Sequence, residues 1–145
     1  MIFITLSRKG IALMFKNNLL LKIVFFIAVI TIFSGSAQML MPQLILAIIG
    51  GDISPGGNYS FGIIGMFMVL FGGLCIHALS TETQEPVAIL WCSLQKLGAA
   101  IAVTLAVCQH LFSWLALLVS SFDFLSFVLM YIFWYRIKNN VSRNY

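Results

Sequence analysis

Charge is what this sequence most lacks. Only 8% of its 145 residues are charged, with four acids against eight Lys and Arg. Soluble domains average about 25%. Cysteine is sparse as well: Cys75, Cys92 and Cys108 stand alone, with no CxxC. That spacing excludes the usual sequence sign of a zinc site or a thioredoxin-like centre. A thiol-redox membrane enzyme would want a close cysteine pair, and the sequence shows none. The three thiols therefore read as small buried hydrophobes. No Ser-His-Asp set, carboxylate pair or metal-ligand cluster emerges, so neither a metal nor a cofactor is expected. Gly56-Gly57 lacks the lysine and the strand context of a phosphate loop.

Hydrocarbon is abundant instead. Hydrophobic residues make up 61% of the chain, and mean hydropathy is +1.06. A chain this short buries only about two-thirds of its surface on folding, so the solvent for most of it must be lipid. Four apolar segments stand out: about Leu19–Met41, Tyr59–Leu79, Val87–Val107 and Phe112–Tyr135. Each has about the 20 residues that a helix needs to cross about 30 Å of hydrocarbon. The period-two alternation of a transmembrane strand is missing. The expected fold is all-α: one domain, an integral membrane four-helix bundle.

The breaks carry turn chemistry. Gly50-Gly51-Asp52-Ile53-Ser54-Pro55-Gly56-Gly57-Asn58 reads as a loop that cannot continue a helix and ends the first apolar region. Just before it, Pro42 to Ile49 is too short to span and reads as an interfacial or half-buried segment started or kinked by Pro42. Glu85 and Pro86 suit the first turn of the third span. The third connection, around Cys108-Gln109-His110, reads as very short.

Charge placement gives orientation. Arg8, Lys9, Lys16 and Lys22 lie at one end of the chain, and Arg136, Lys138 and Arg143 at the other. The first and third loops carry no Lys or Arg, so both termini are expected in the cytoplasm. The membrane expected is the inner membrane of a bacterium. Topology explains these basic residues better than nucleic-acid binding does. Tyr131, Trp134 and Tyr135 suit the inner interface; Tyr59 and Trp114 suit the outer one. Two alternatives touch the N-terminus. Translation starting at Met14 would give a shorter lead-in, and cleavage after Ala37 would leave three spans. Otherwise Gly35, Ser36 and Ala37 serve close helix packing.

Two charges stand inside the spans: Lys96 in the third and Asp123 in the fourth. A charge at the bilayer centre costs about 3 kcal/mol or more. Counting from the inner interface at 1.5 Å per residue, Lys96 lies about 15 Å deep and Asp123 about 16 Å deep. A short hairpin makes their helices antiparallel neighbours, so a midplane ion pair is expected. Such a pair either locks two helices together or anchors a ligand or proton, with Gln95 and Gln38 as possible assistants. Ser93 and Ser126, one turn from each charge, are placed to extend a polar network. His77 and His110 fall near opposite membrane faces, about 30 Å apart, and do not make a shared ligand set. Small residues suggest packing faces: Gly62, Gly65, Gly72 and Gly73 in the second span, Gly98 and Ala102 in the third.

This layout resembles the small DoxX-like four-helix membrane proteins. The matching features are Pro42, the glycine-bearing loop, the glycine-rich second span (Phe61-Gly62-Ile63-Ile64-Gly65, Phe71-Gly72-Gly73-Leu74), Glu85-Pro86, and single central charges at Lys96 and Asp123. The similarity covers about Leu19 to Arg136. It implies a four-span fold and an accessory role near quinone-linked oxidation. Members often carry a basic residue just before the second span; Asn58-Tyr59-Ser60 has none, which argues against an outer anionic site.

Three function classes follow. The first is a non-catalytic accessory or scaffold subunit, with the bilayer and a membrane protein or a second copy as partners. The second is a binder or enzyme for a small lipophilic ligand, a quinone or lipid, held by Lys96 and Asp123. The third is proton or ion translocation through Asp123.

Overall fold

The computed structural model describes residues 18–81 and 85–141, with side chains through Asn139. Arg8, Lys9, Lys16, Arg143, the start at Met14, and Glu82 and Gln84 of the second loop lie outside the described residues. Five helices follow in order: α1 (Leu19–Leu40), α2 (Pro42–Ile49), α3 (Pro55–Ser80), α4 (Pro86–Cys108) and α5 (Ala116–Val141). No strand occurs among the described residues. Four helices, α1 and α3 to α5, are long and apolar enough to cross a membrane; α2, with 8 residues, is not.

Local chemistry sets the helix ends. The Asn18 side chain accepts a hydrogen bond from the Leu21 backbone N–H and caps α1. Pro42 has no N–H to continue that helix and bars its predecessor from the helical region, so the chain breaks at Met41. The broken chain restarts with Pro42 in the first turn of α2. Gly50, at φ 71°, takes the left-handed conformation that closes α2, and Gly51 N–H donates back to the Leu46 carbonyl. The Ser54 hydroxyl accepts from Gly57 N–H at 3.1 Å and starts α3 four residues earlier than the apolar run at Tyr59 indicates. His110, at φ 60°, turns the chain out of α4. The Ser113 N–H donates to the Ile49 carbonyl at 2.7 Å, which ties residues 109–115 to the end of α2. The connection expected to be very short is therefore longer, and α5 begins at Ala116 rather than Phe112.

The buried core gathers at one end of the four long helices. It joins Leu21, Val24, Ile27 and Ala28 at the start of α1 with Cys75, Ala78 and Leu79 at the end of α3. The start of α4 adds Ile89 and Cys92, and the end of α5 adds Met130, Phe133 and Ile137. Starts meet ends, so successive long helices run in opposite directions. The tightest pairings are α1 with α3 and α4 with α5; α3 also meets α4, and α1 meets α5. Large apolar side chains stay uncovered: Phe33 is 72% exposed and Leu118 66%. Only an apolar solvent accepts such a surface without penalty.

The two tight pairs are held differently. Between α1 and α3 the backbones nearly touch. A Cβ placed on Gly35 would lie 2.6 Å from the Gly65 carbonyl oxygen, and one on Gly72 would lie 2.6 Å from Ile32 Cγ1. Such close approach is how helices associate where burial in lipid gives no hydrophobic gain. Between α4 and α5 the contact is polar. Ser93 Oγ donates to the Phe127 carbonyl at 3.3 Å, Ser120 Oγ donates to the Ala100 carbonyl at 2.9 Å, and Thr104 and Ser120 hydroxyls lie 2.7 Å apart.

Candidate functional site: a buried ion pair beside a small cavity

Lys96 and Asp123 meet between α4 and α5. Lys96 Nζ donates to Asp123 Oδ1 at 2.7 Å, and the two side chains are 3% and 6% exposed. They are the charged side chains buried among the described residues. The helices position them simply. Buried residues on α4 fall at Ile89, Cys92, Ser93, Lys96 and Ala100. On α5 they fall at Ala116, Ser120, Asp123, Ser126, Met130, Phe133 and Ile137. Steps of three and four keep each set on one helical face. The ammonium also sits 5.7 Å from the Phe122 ring centroid, within range of an attractive contact with the ring face.

The flanking serines do not extend the ion pair. Ser93 spends its proton on the Phe127 carbonyl, and Ser126 is buried one turn from Asp123. The polar seam is a ladder of separate rungs along α4 and α5: Ser93 to Phe127, Lys96 to Asp123, Ser120 to Ala100.

Beside the pair lies a small cavity where all four long helices meet. Thr31 of α1, Cys75 of α3, Cys92, Gln95 and Lys96 of α4, and Met130 of α5 line it. The room for the centre of a water-sized molecule is about 10 Å³, enough for a single water. Gln95 thus joins Lys96 at one wall. Gln38 does not; it lies two turns beyond Thr31 on α1, about 10 Å along the axis. There its Cβ presses toward Gly65 and its Oε1 is buried without a hydrogen-bond partner.

The small residues divide. Gly65 and Gly72 are buried against α1, and Gly62 sits at the edge, where an added Cβ would reach only the Met39 carbonyl at 3.9 Å. Packing inside the bundle, expected for Gly73, Gly98 and Ala102, needs correction. All three are exposed, and nothing lies within 4 Å of a Cβ added to Gly73 or Gly98. Helical geometry explains this: two residues beyond Lys96, Gly98 is turned about 200° away from the buried face. Gly35, in contrast, packs against Gly65 as the small Gly35-Ser36-Ala37 run suggests.

The expectation for the cysteines also changes. Cys108 is exposed, but Cys75 and Cys92 are buried and line one cavity from α3 and α4. Sequence reasoning missed this pair because no short spacing marks it. A signal was present in the register: Cys75 lies three residues after Gly72, and Cys92 four before Lys96, so each shares the inward face of its helix.

In the loop ahead of α3, the Ser54 backbone N–H donates to Asp52 Oδ1 at 2.9 Å and its hydroxyl to Oδ2. Those two donors hold the Asp52 carboxyl below its ordinary value. Asp52 thereby orients Ser54, the cap of α3, and lies far along the chain from the ion pair. Among the described residues, no group of three or more His, Cys, Asp and Glu could hold a metal. His77 and His110 are both exposed, on α3 and beyond α4.

No protein-family model, curated protein or solved structure matches this chain.

Proposed function

We propose that the protein is a non-catalytic accessory or scaffold subunit of a membrane complex, in the inner membrane of a bacterium with both ends in the cytoplasm. One observation carries this reading: the two buried charges are used up on each other, beside a cavity of about 10 Å³. Ligand pockets are usually 300–1,000 Å³, so a quinone or lipid bound between Lys96 and Asp123 gains no support from it. Proton carriage by Asp123 gains none either, because its Oδ1 is already engaged by the Lys96 ammonium at 2.7 Å. The ion pair serves as the clasp that sets the rotation of α4 against α5.

The outward faces favour partner binding. Gly73 on α3 and Gly98 and Ala102 on α4 are small and exposed, which leaves room for another transmembrane helix to approach closely. The resemblance in layout to DoxX-like proteins fits an accessory role. Solubilising membranes gently and sizing the tagged protein tests the proposal. A stable complex with another membrane protein is expected; a lone monomer under the same conditions contradicts it.

A further inference from the structure

We infer that Cys75 and Cys92 form a redox-active dithiol within the membrane-spanning region, which a small peroxide closes to a disulfide joining α3 to α4. This inference is independent of the accessory role proposed above.

Three observations converge. The thiols belong to different helices, are 1% and 2% exposed, and sit in the same buried core cluster. Cys92 Sγ also donates to the Phe71 carbonyl at 3.4 Å. Phe71 lies one turn before Cys75, so this bond holds the Cys92 sulfur over the patch of α3 that the Cys75 side chain covers. Finally, both cysteines line the same cavity, together with Lys96, Gln95 and Thr31.

A buried cysteine is usually an inert small hydrophobe. This pair differs in having a second thiol on the facing helix and a water-sized space at its side, whose mostly apolar wall also carries Thr31, Gln95 and Lys96. The space excludes a large oxidant: about 10 Å³ admits no more than a single water-sized molecule, and a quinone is many times too large.

The chemistry balances without a further reactant. One thiol loses its proton, and its sulfur attacks a peroxide oxygen. The O–O bond breaks, and the departing hydroxide takes up that proton to leave as water. The attacked oxygen stays on sulfur as a sulfenic acid. The second sulfur then attacks the sulfenic sulfur. An S–S bond forms, the S–O bond breaks, and the second thiol proton leaves with the hydroxide as another water. Two thiols lose two electrons, and the peroxide is reduced to two waters.

The test uses the full chain with Cys108→Ser, in detergent, exposed to hydrogen peroxide. Free thiols are then counted by maleimide labelling in SDS, and peptides are mapped by mass spectrometry. The expected result is the loss of two labelled thiols per chain, a Cys75–Cys92 linked peptide, and full return of labelling after dithiothreitol. Cys75→Ala and Cys92→Ala, each on that background, should give no linked peptide within a chain. Retention of both thiols after peroxide treatment of the folded chain overturns the proposal. So does oxidation to sulfinic acid without a linked peptide, or a disulfide formed only between chains.

Discussion

At the scale of single residues, the ion pair dominates because its members have no other solvent. Each ion would lose several kcal/mol of solvation alone, and the partner offsets that loss only while both are present. Replacing Lys96 by Met should therefore destabilise the protein by about 3–5 kcal/mol, because it leaves the Asp123 carboxylate buried and unpaired. Adding Asp123→Leu to that variant should recover most of the loss. Thermal unfolding in detergent reads both effects. If the single Lys96→Met variant melts with the wild type, the pair contributes nothing to the fold.

Asp52 gives a pH prediction of known sign. Ser54 stabilises its ionised form and holds it below the ordinary 3.8. The stability linked to this cap is thus fully present above the ordinary value and is lost as pH falls through the lower, folded value. Hydrogen exchange at the first turn of α3 should rise on acidification below about pH 4. In Asp52→Asn that acid-dependent rise should disappear; an unchanged pH profile would remove the capping role.

At the scale of elements, the two tight pairs respond to different substitutions. Gly65→Val forces side-chain atoms into the α1 backbone, since even its Cβ would stand 2.5 Å from the Gly35 carbonyl oxygen. Overpacking of this kind costs about 1–3 kcal/mol or more. Gly98→Val meets open space and should leave thermal stability within about 0.5 kcal/mol. Equal losses at the two positions would mean that α4 packs by a face other than the one described. Removing the Ser120 hydroxyl should loosen α4 from α5 by about 0.6 kcal/mol, the average for a hydrogen bond between membrane helices.

The same scale explains what the sequence could reveal. Helix existence was legible because membrane thickness demands long apolar runs. The depth match of Lys96 and Asp123 was legible from counting alone. The inward faces were harder to see, because lipid-facing residues are as apolar as buried ones and hydrophobic periodicity fades. What marks the inward face of α5 is polarity: Ser120, Asp123 and Ser126. What marks that of α3 is smallness: Gly65, Gly72 and Cys75. Gly98 and Ala102 share the smallness but not the register of Lys96, which is why composition alone misplaced them. That Cys75 and Cys92 line one cavity depends on how α3 sits beside α4, and no local spacing encodes that.

At the scale of the molecule, four long helices surround a core gathered at one end, while α2 and the α4–α5 connection pack together at the other. The fold is closed by two kinds of contact, glycine-mediated and polar, with the ion pair as the strongest element of the second. The scaffold role proposed above would call for rigidity inside and an exposed surface outside. The exposed small residues of α3 and α4 supply such a surface.

The most direct test of this account is a charge-swap cycle on the ion pair: Lys96→Asp, Asp123→Lys and the double swap, followed by membrane abundance and melting temperature in detergent. Each single swap buries two like charges at the contact now closed at 2.7 Å, so both singles should be strongly depleted and unstable. The double swap restores opposite charges across the same seam and should recover much of the wild-type level. Single variants that accumulate and melt like the wild type would contradict the structural role of the pair, and would return Lys96 and Asp123 to ligand or proton chemistry.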